Sequence, residues 1–302
     1  MKKVLILMST YNGEKYLKQQ IDSLLNQSYL NIDILVRDDG SNDKTQQILN
    51  EYQKKNQLKW YQGENKKPAK SFLELTKIAE RYDYYCFCDQ DDIWEKEKVK
   101  IAINKLENEN KDIPLLYCSS TKLVDDNLVF LGHGHKKKYR LNFGEALVQA
   151  ISPGCTFVFN YEAKILMDEV DESDFFSMHD YLLLCSVLGT GKVIYDDQSY
   201  ILYRQHANNV VGTSINKYEI FLSRFNRFFR SNSKNTRLKT AETIEKRFFT
   251  KLNADNQKLL LTVVNYQNSF FNKLKLIRNN KIKMLAKSDN ILLNLLIMIN
   301  RV

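Results

Sequence analysis

The chain has 302 residues, 43% apolar and 27% charged, with 3 prolines and 10 glycines. This is enough to bury a sizeable core and excludes a disordered or linker-rich protein. Five cysteines, an odd number set in apolar stretches, exclude a disulfide framework or zinc site and fit a reduced, cytoplasmic compartment. The net charge of +9 is unevenly held: residues 1–214 carry 27 Lys/Arg against 31 Asp/Glu, whereas residues 215–302 carry 18 against 5. The basic character thus belongs to the C-terminal segment, whose expected partner is anionic, a membrane surface or a polyanion.

In chain order, Lys2 and Lys3 precede an apolar run, Val4–Met8, too short for a signal peptide or a membrane span. It reads as a buried first strand ending at Ser9-Thr10-Tyr11-Asn12-Gly13. A helix follows with Tyr16, Leu17, Ile21, Leu24 and Leu25 on one face. Ile32–Val36 is the next strand and ends at Arg37-Asp38-Asp39-Gly40-Ser41. A helix through Ile48 and Tyr52 leads to a strand at Leu58–Tyr61, and Phe72, Leu75, Ile78 and Ala79 mark a third helix. Tyr84–Cys88 is a strand running straight into Asp89-Gln90-Asp91-Asp92. Strands alternating with helices of this length predict a parallel sheet covered on both faces. Further on, Leu115–Ser119, Thr156–Phe159, Val193–Tyr195 and Tyr200–Tyr203 read as strands and His179–Leu188 as a short helix. Residues 215–302 read as helical.

In a doubly wound sheet the C-terminal strand ends share one edge, and ligands bind in the crevice there. Ser9–Gly13, Asp38–Ser41 and Asp89–Asp92 are therefore expected to converge. Three carboxylates within four residues repel unless protons or a cation neutralise them, which suits magnesium or manganese on a diphosphate. The same turn also reads as a solvated cap for a helix starting near Trp94. Asp38-Asp39-Gly40 is either a turn before the N-cap Asp43 or a carboxylate pair placed to accept the imide N–H of a uracil or thymine. Ser177-Met178-His179-Asp180 precedes an apolar helix and is either its N-cap or the setting for Asp180 as a general base for a sugar hydroxyl, with His179 as a positioning neighbour. Gly154-Cys155, after Pro153, is a tight bend that either lines an acceptor pocket or is a plain turn. Cys86 and Cys88 are small buried side chains, and Gly132-His133-Gly134-His135 reads either as a metal site or, with Lys136–Lys138 following, as a mobile basic loop, the reading preferred here. P-loop, dinucleotide and nucleophile-elbow motifs are absent, which disfavours P-loop kinases and common dehydrogenases.

Taken in order, five strings resemble the inverting glycosyltransferases of family 2, which have the GT-A fold. They are Ser9–Gly13, Arg37–Ser41, Cys88-Asp89-Gln90-Asp91-Asp92-Ile93-Trp94, His179-Asp180, and Tyr203-Arg204-Gln205-His206-Ala207-Asn208-Asn209-Val210. The last resembles the closing motif of rhamnosyltransferase-like members. The resemblance implies a Rossmann-like, mostly parallel central sheet flanked by helices, in a domain over 1–212 with a nucleotide-sugar half (1–100) and an acceptor half (101–212). A basic helical region, 213–302, follows. It further implies that Thr10, Tyr11, Asn12, Asp38 and Asp39 hold a pyrimidine nucleoside, with Lys70 and Ser71 beside the nucleotide or sugar by a looser match. Asp89 and Asp91 correspond to the family's Asp-x-Asp for Mn2+ or Mg2+, and His206 lies near the diphosphate and the metal. Asp180 corresponds to the base, while Asp92, Trp94, Gly154, Cys155, His179 and Arg204 support the site or the acceptor.

The implied donor is dTDP-rhamnose or a UDP-hexose, and the acceptor a saccharide hydroxyl, free or lipid-linked, in cell-surface polysaccharide synthesis. The rivals are a metal-dependent nucleotidyltransferase and a nucleic-acid-binding protein working through the basic tail. The latter leaves the strand-end carboxylates unexplained. Within the tail, Ile291–Ile299 is apolar but too short to span a bilayer. Peripheral contact with the inner face of an anionic membrane is the expectation there, against packing on the body or self-association.

Overall fold

A computed structural model describes residues 1–134, 141–206 and 235–302. His135, Lys136–Lys138 and the Ala207–Val210 end of the closing string lie outside the described residues. The elements alternate at first: β1 (Val4–Thr10), α1 (Leu17–Leu25), β2 (Ile32–Asp38), α2 (Thr45–Lys54), β3 (Lys59–Gln62), α3 (Lys67–Ile78) and β4 (Tyr84–Cys88). Then come β5 (Ile93–Trp94), α4 (Lys98–Glu107), β6 (Leu115–Val124), β7 (Phe130–His133), α5 (Phe143–Ala146), β8 (Val158–Asn160), α6 (Tyr161–Asp168), α7 (His179–Thr190) and β9 (Lys192–Arg204). The tail contributes α8 (Thr236–Phe248), α9 (Ala254–Val264), α10 (Phe270–Arg278) and α11 (Lys287–Met298).

The strands form one sheet in the order β3-β2-β1-β4-β8-β6-β9-β5, with β7 beside β6. Strands β3, β2, β1 and β4 run parallel, as the helical crossovers between them require. Beyond β4 the sheet is mixed: β8 is antiparallel to β4 and β6, β9 is parallel to β6, and β5 is antiparallel to β9. The two strands expected at Val193–Tyr195 and Tyr200–Tyr203 are one strand. Register jumps from Ser119 opposite Asp196 to Ser120 opposite Ser199, so Asp197 and Gln198 bulge out of β9 without ending it.

Alternation along the strands builds a core on each face. Val4, Ile6 and Met8, with Tyr84, Cys86 and Cys88, pack under Leu17, Ile21, Leu49, Val99 and Leu106 of the helices on one side. Leu5, Leu7, Tyr85 and Phe87 point the other way, into a cluster with Phe72, Leu75, Leu166 and Leu182. All five cysteines are buried free thiols.

The second cluster continues into the tail through Leu238, Ile244, Phe248, Leu260, Leu276, Leu293 and Ile297. The tail helices therefore pack as a further layer on α5 and α7, on the side of the sheet that those helices cover, and polar ties hold them there. Lys246 and Arg247 pair with the buried Asp174 at 2.8 and 2.6 Å, and Asn256 Nδ2 donates to the Gly189 carbonyl at 3.0 Å. Burial works to raise Asp174, but the hydrogen bonds from Arg247 and Lys246 hold it down to about 2. No described helix is long and apolar enough to cross a membrane.

Candidate active site at the strand-end crevice

Because Thr10 sits beside Asp38 and Met8 beside Cys88, the ends of β1, β2 and β4 open on one edge. The three strings predicted to converge do so, and specific bonds lock them. Asp39 N–H donates to the Thr10 carbonyl at 2.8 Å. The Gln90 side chain joins the first and third strings: its Oε1 accepts from Thr10 Oγ1 (2.6 Å) and Tyr11 N (2.9 Å), and its Nε2 donates to Tyr11 O (3.2 Å). Gly13 leaves room for this clasp, since a methyl at that position would overlap Gln90 Oε1 and approach Thr10 Oγ1 to 2.8 Å, and so displace the Gln90 side chain. Asn12 Oδ1 accepts from Asn42 N (3.0 Å), and Asn12 N donates to Ser41 Oγ (2.9 Å), so the first string is also tied to the second.

Three expected nucleotide contacts lie in the crevice wall rather than open in the crevice. Thr10 is buried, with its hydroxyl on Gln90. Asp38 is buried and accepts at Oδ1 from Ser41 Oγ and at Oδ2 from Ser41 N and Gln46 Nε2. Ser71 is buried between Ser9 Oγ (2.6 Å) and Arg37 (3.2 Å). The physical reason is common to all: the strand-end turns bring these short polar groups against each other before any ligand arrives. Asp39 is also buried, facing the Arg37 guanidinium and accepting from Lys67 N at 2.9 Å. Tyr11 and Asn12 are exposed, and exposed Lys70 reaches across to the Glu172 carbonyl at 2.7 Å.

The acidic turn is where charge is least settled. Burial, and then the charges of Asp91 and Asp180, push the Asp89 carboxyl up to about 7. Burial, then Asp91 and Asp89, raise the fully buried Asp92 well above the carboxylate range. Arg204 secures the turn without neutralising it from within: its N–H donates to Asp92 Oδ1 (3.0 Å) and its Nε to the Asp91 carbonyl (2.8 Å). Its guanidinium also lies 4.4 Å from the Tyr16 ring centroid. His206 Nε2 stands 2.9 Å from Asp91 Oδ2, with its ring stacked on Tyr16. Asp89, Asp92 and Cys155 offer ligand atoms within 4.8 Å of one another, but burial and the two carboxylates keep the thiol protonated. Of the expected metal set, His206 meets Asp91 directly, whereas the ligand atoms that cluster among the described residues are those of Asp89, Asp92 and Cys155, so the hard donors there are two carboxylates with Asp91 beside them.

Asp180 opens α7 opposite this turn, close enough for its charge to act on Asp89. Its Oδ2 accepts from Gly154 N at 2.9 Å and its Oδ1 from Tyr181 N at 2.7 Å, and burial raises its carboxyl. A Cβ at Gly154 would lie 2.8 Å from Asp180 Cβ and 3.2 Å from His179 Nε2, so only glycine lets this backbone approach. His179 is buried, stacked on Phe72 at 4.0 Å and edge-on to Phe87 at 4.7 Å. Burial pushes it down to about 3, so it is a neutral packing group that sets the start of α7. Trp94 is likewise a core residue, on β5 against β9.

Two residues were not anticipated. Gln90 was hidden by its acidic neighbours, and only its place between two Asp residues at a strand end could have drawn notice. Lys98 is buried at the start of α4 with its ammonium 3.4 Å from the Trp94 ring centroid. It has no hydrogen-bond partner there, and burial pushes it down although Asp92 and three cysteines act in the opposite sense. A lysine on the apolar stripe of a helix, two residues after Lys96, carries no sequence signal of burial.

Residues 5–163 match the profile of glycosyl transferase family 2. The dTDP-rhamnosyl transferase RfbG of Shigella flexneri is 33% identical over 230 residues, covering 69% of this chain and 74% of the relative. An uncharacterized glycosyltransferase of Rickettsia typhi is 30% identical over 240 residues, covering 76% and 73%. Among solved structures, Staphylococcus aureus TarS 1–349 in complex with UDP-GlcNAc superimposes with a TM-score of 0.53 at 20% identity, over 91% of this chain and 86% of TarS 1–349.

Proposed function

The chain belongs to glycosyl transferase family 2, and from that premise we propose that it moves a sugar from a nucleoside-diphosphate donor to a saccharide hydroxyl, with inversion, in bacterial surface-polysaccharide synthesis. The observation that carries the reading is the placing of Asp180, held by the Gly154 N–H, near enough to the Asp89–Asp92 turn for its charge to act on Asp89. The likeness to RfbG favours dTDP-rhamnose as donor, with a UDP-hexose as the alternative.

Nucleoside binding falls to the open side of the edge. The exposed Tyr11 ring offers a stacking surface, Asn12 a polar edge, and Asp39 an acceptor for an imide N–H if Arg37 releases one oxygen. Asp89 and Asp91, with His206, would hold a divalent Mg2+ or Mn2+ ion, which supplies positive charge against the diphosphate as it leaves. Arg204 keeps the turn in place, so the carboxylates need no rearrangement.

Asp180 takes the acceptor's proton. The Gly154 and Tyr181 N–H groups orient it, and its raised basicity suits proton abstraction near neutral pH. As the acceptor oxygen bonds to the anomeric carbon, the bond from that carbon to the diphosphate oxygen breaks. The hydroxyl proton passes to Asp180, and single displacement inverts the centre.

Calorimetry with dTDP and UDP, with and without Mn2+, tests the donor site. Binding of either that needs the metal and is lost in Asp91→Ala supports it; no nucleotide binding with metal present overturns it. Product analysis separates the nearest rival, because nucleotidyl transfer releases pyrophosphate whereas glycosyl transfer releases a nucleoside diphosphate.

A further inference from the structure

Helix α11 is apolar on two faces. Leu292, Leu293, Leu296 and Ile297 are buried in the shared core, yet Ile291, Leu295, Met298 and Ile299, spaced i, i+4, i+7 and i+8, face outward. Ile291 is 66% and Leu295 58% exposed. Neighbouring α10 adds Phe270 and Phe271, the latter 74% exposed. A hydrogen bond from Lys273 Nζ to the Met298 carbonyl (3.0 Å) joins the start of α10 to the end of α11, which brings Phe270 and Phe271 to the end of α11 that carries Met298 and Ile299. Exposed apolar side chains grouped in this way mark an interaction surface.

The charge around it selects the occupant. Residues 270–302 hold seven Lys/Arg against the single acidic Asp289, a net of +6. Lys275, Arg278 and Lys287 are exposed and form no ion pair with a described residue, and exposed Lys281 and Lys283 lie on the intervening loop. A second copy of the chain would bring the same positive charge against itself. An anionic lipid surface instead offers hydrocarbon for the phenylalanines and leucine and headgroup charge for the lysines.

We propose that the α10–α11 face is a peripheral docking surface for anionic membrane, entering the interface without spanning it. If the transfer reading holds, docking would bring the strand-end crevice to a lipid-linked acceptor, but the docking itself does not depend on that reading.

The test is cosedimentation of the full chain with phosphatidylcholine vesicles, with and without phosphatidylglycerol, at low and high salt. The expected result is binding only with phosphatidylglycerol and release by salt. The paired variants F271S/L295S and K275E/R278E should each weaken binding about ten-fold or more. Both pairs are on the surface, so the melting temperature and calorimetric nucleotide binding should not move; nucleotide binding also tests the transfer reading separately. Three results would overturn the proposal. One is no pelleting with phosphatidylglycerol at low salt. Another is binding that survives in both variants. The third is a concentration-dependent dimer in ultracentrifugation that Leu295→Glu dissolves, which would assign the face to a second copy.

Discussion

Two buried carboxyls in this molecule are treated in opposite ways. Asp174, beneath the tail helix α8, is held down to about 2 by Arg247 and Lys246, whereas Asp89, at the end of β4, is pushed up to about 7 by burial and by Asp91 and Asp180. A carboxylate that only fastens two elements is given its cations by the chain, and its charge is settled on folding. At the strand-end crevice Asp89, Asp91 and Asp92 crowd together, while Arg204 is spread over backbone and wall contacts and Lys98 lies against the Trp94 ring. Such an imbalance costs stability and persists where a ligand cancels it. The contrast separates fastening from function more sharply than residue type does.

The largest expected effect is at the proposed proton acceptor. Asp180→Asn should lower transfer by about 10³-fold while nucleotide binding by calorimetry stays intact, which breaks the comparison if turnover is retained. Asp91→Ala should lower turnover by about 10²-fold and abolish the metal dependence of nucleotide binding. On the fastening side, Asp174→Asn should leave turnover per folded molecule unchanged and cost about 2 kcal/mol in urea unfolding at neutral pH. The sign follows from linkage: a carboxyl depressed to about 2 contributes stability above its unfolded value and loses it as pH falls through 2. The variant and parent unfolding curves should therefore converge in acid. The smallest effect sharpens the other side. Asp89 must lose a proton to take a metal, so metal affinity, by calorimetry, should rise up to ten-fold per pH unit towards about 7 and level off above it.

The parallel half was legible in the sequence because each strand there is an apolar run stopped by Asp, Asn or Gly, and each helix shows its stripe. Tyr84–Cys88 was delimited to the residue. The second half was less so. Strand β5 is two residues long and β7 lies at an edge, so neither carries a period, and the polar Asp196–Ser199 stretch conceals the continuity of β9. At the site, the order of the strings and the edge they share were readable, but not the direction of side chains. Asp38 and Ser71 look identical in sequence whether they meet a ligand or each other's turns, and here they meet the protein. The tail's charge suggested an external partner for the whole segment. In the structure one face of its helices completes the core, while a second face at α10–α11 remains open.

The Gln90 clasp has a consequence for engineering. It makes the loop after β1 and the turn after β4 one rigid part, although nearly eighty residues separate them. A graft that imports only one of the two loops from a relative would arrive without its counterpart. Glutamate at position 90 would keep the acceptor for Thr10 but replace the donor to the Tyr11 carbonyl with a repelling oxygen. Reshaping the proposed donor pocket is thus a paired exchange, in which residues 9–13 and 89–92 travel together as a cassette.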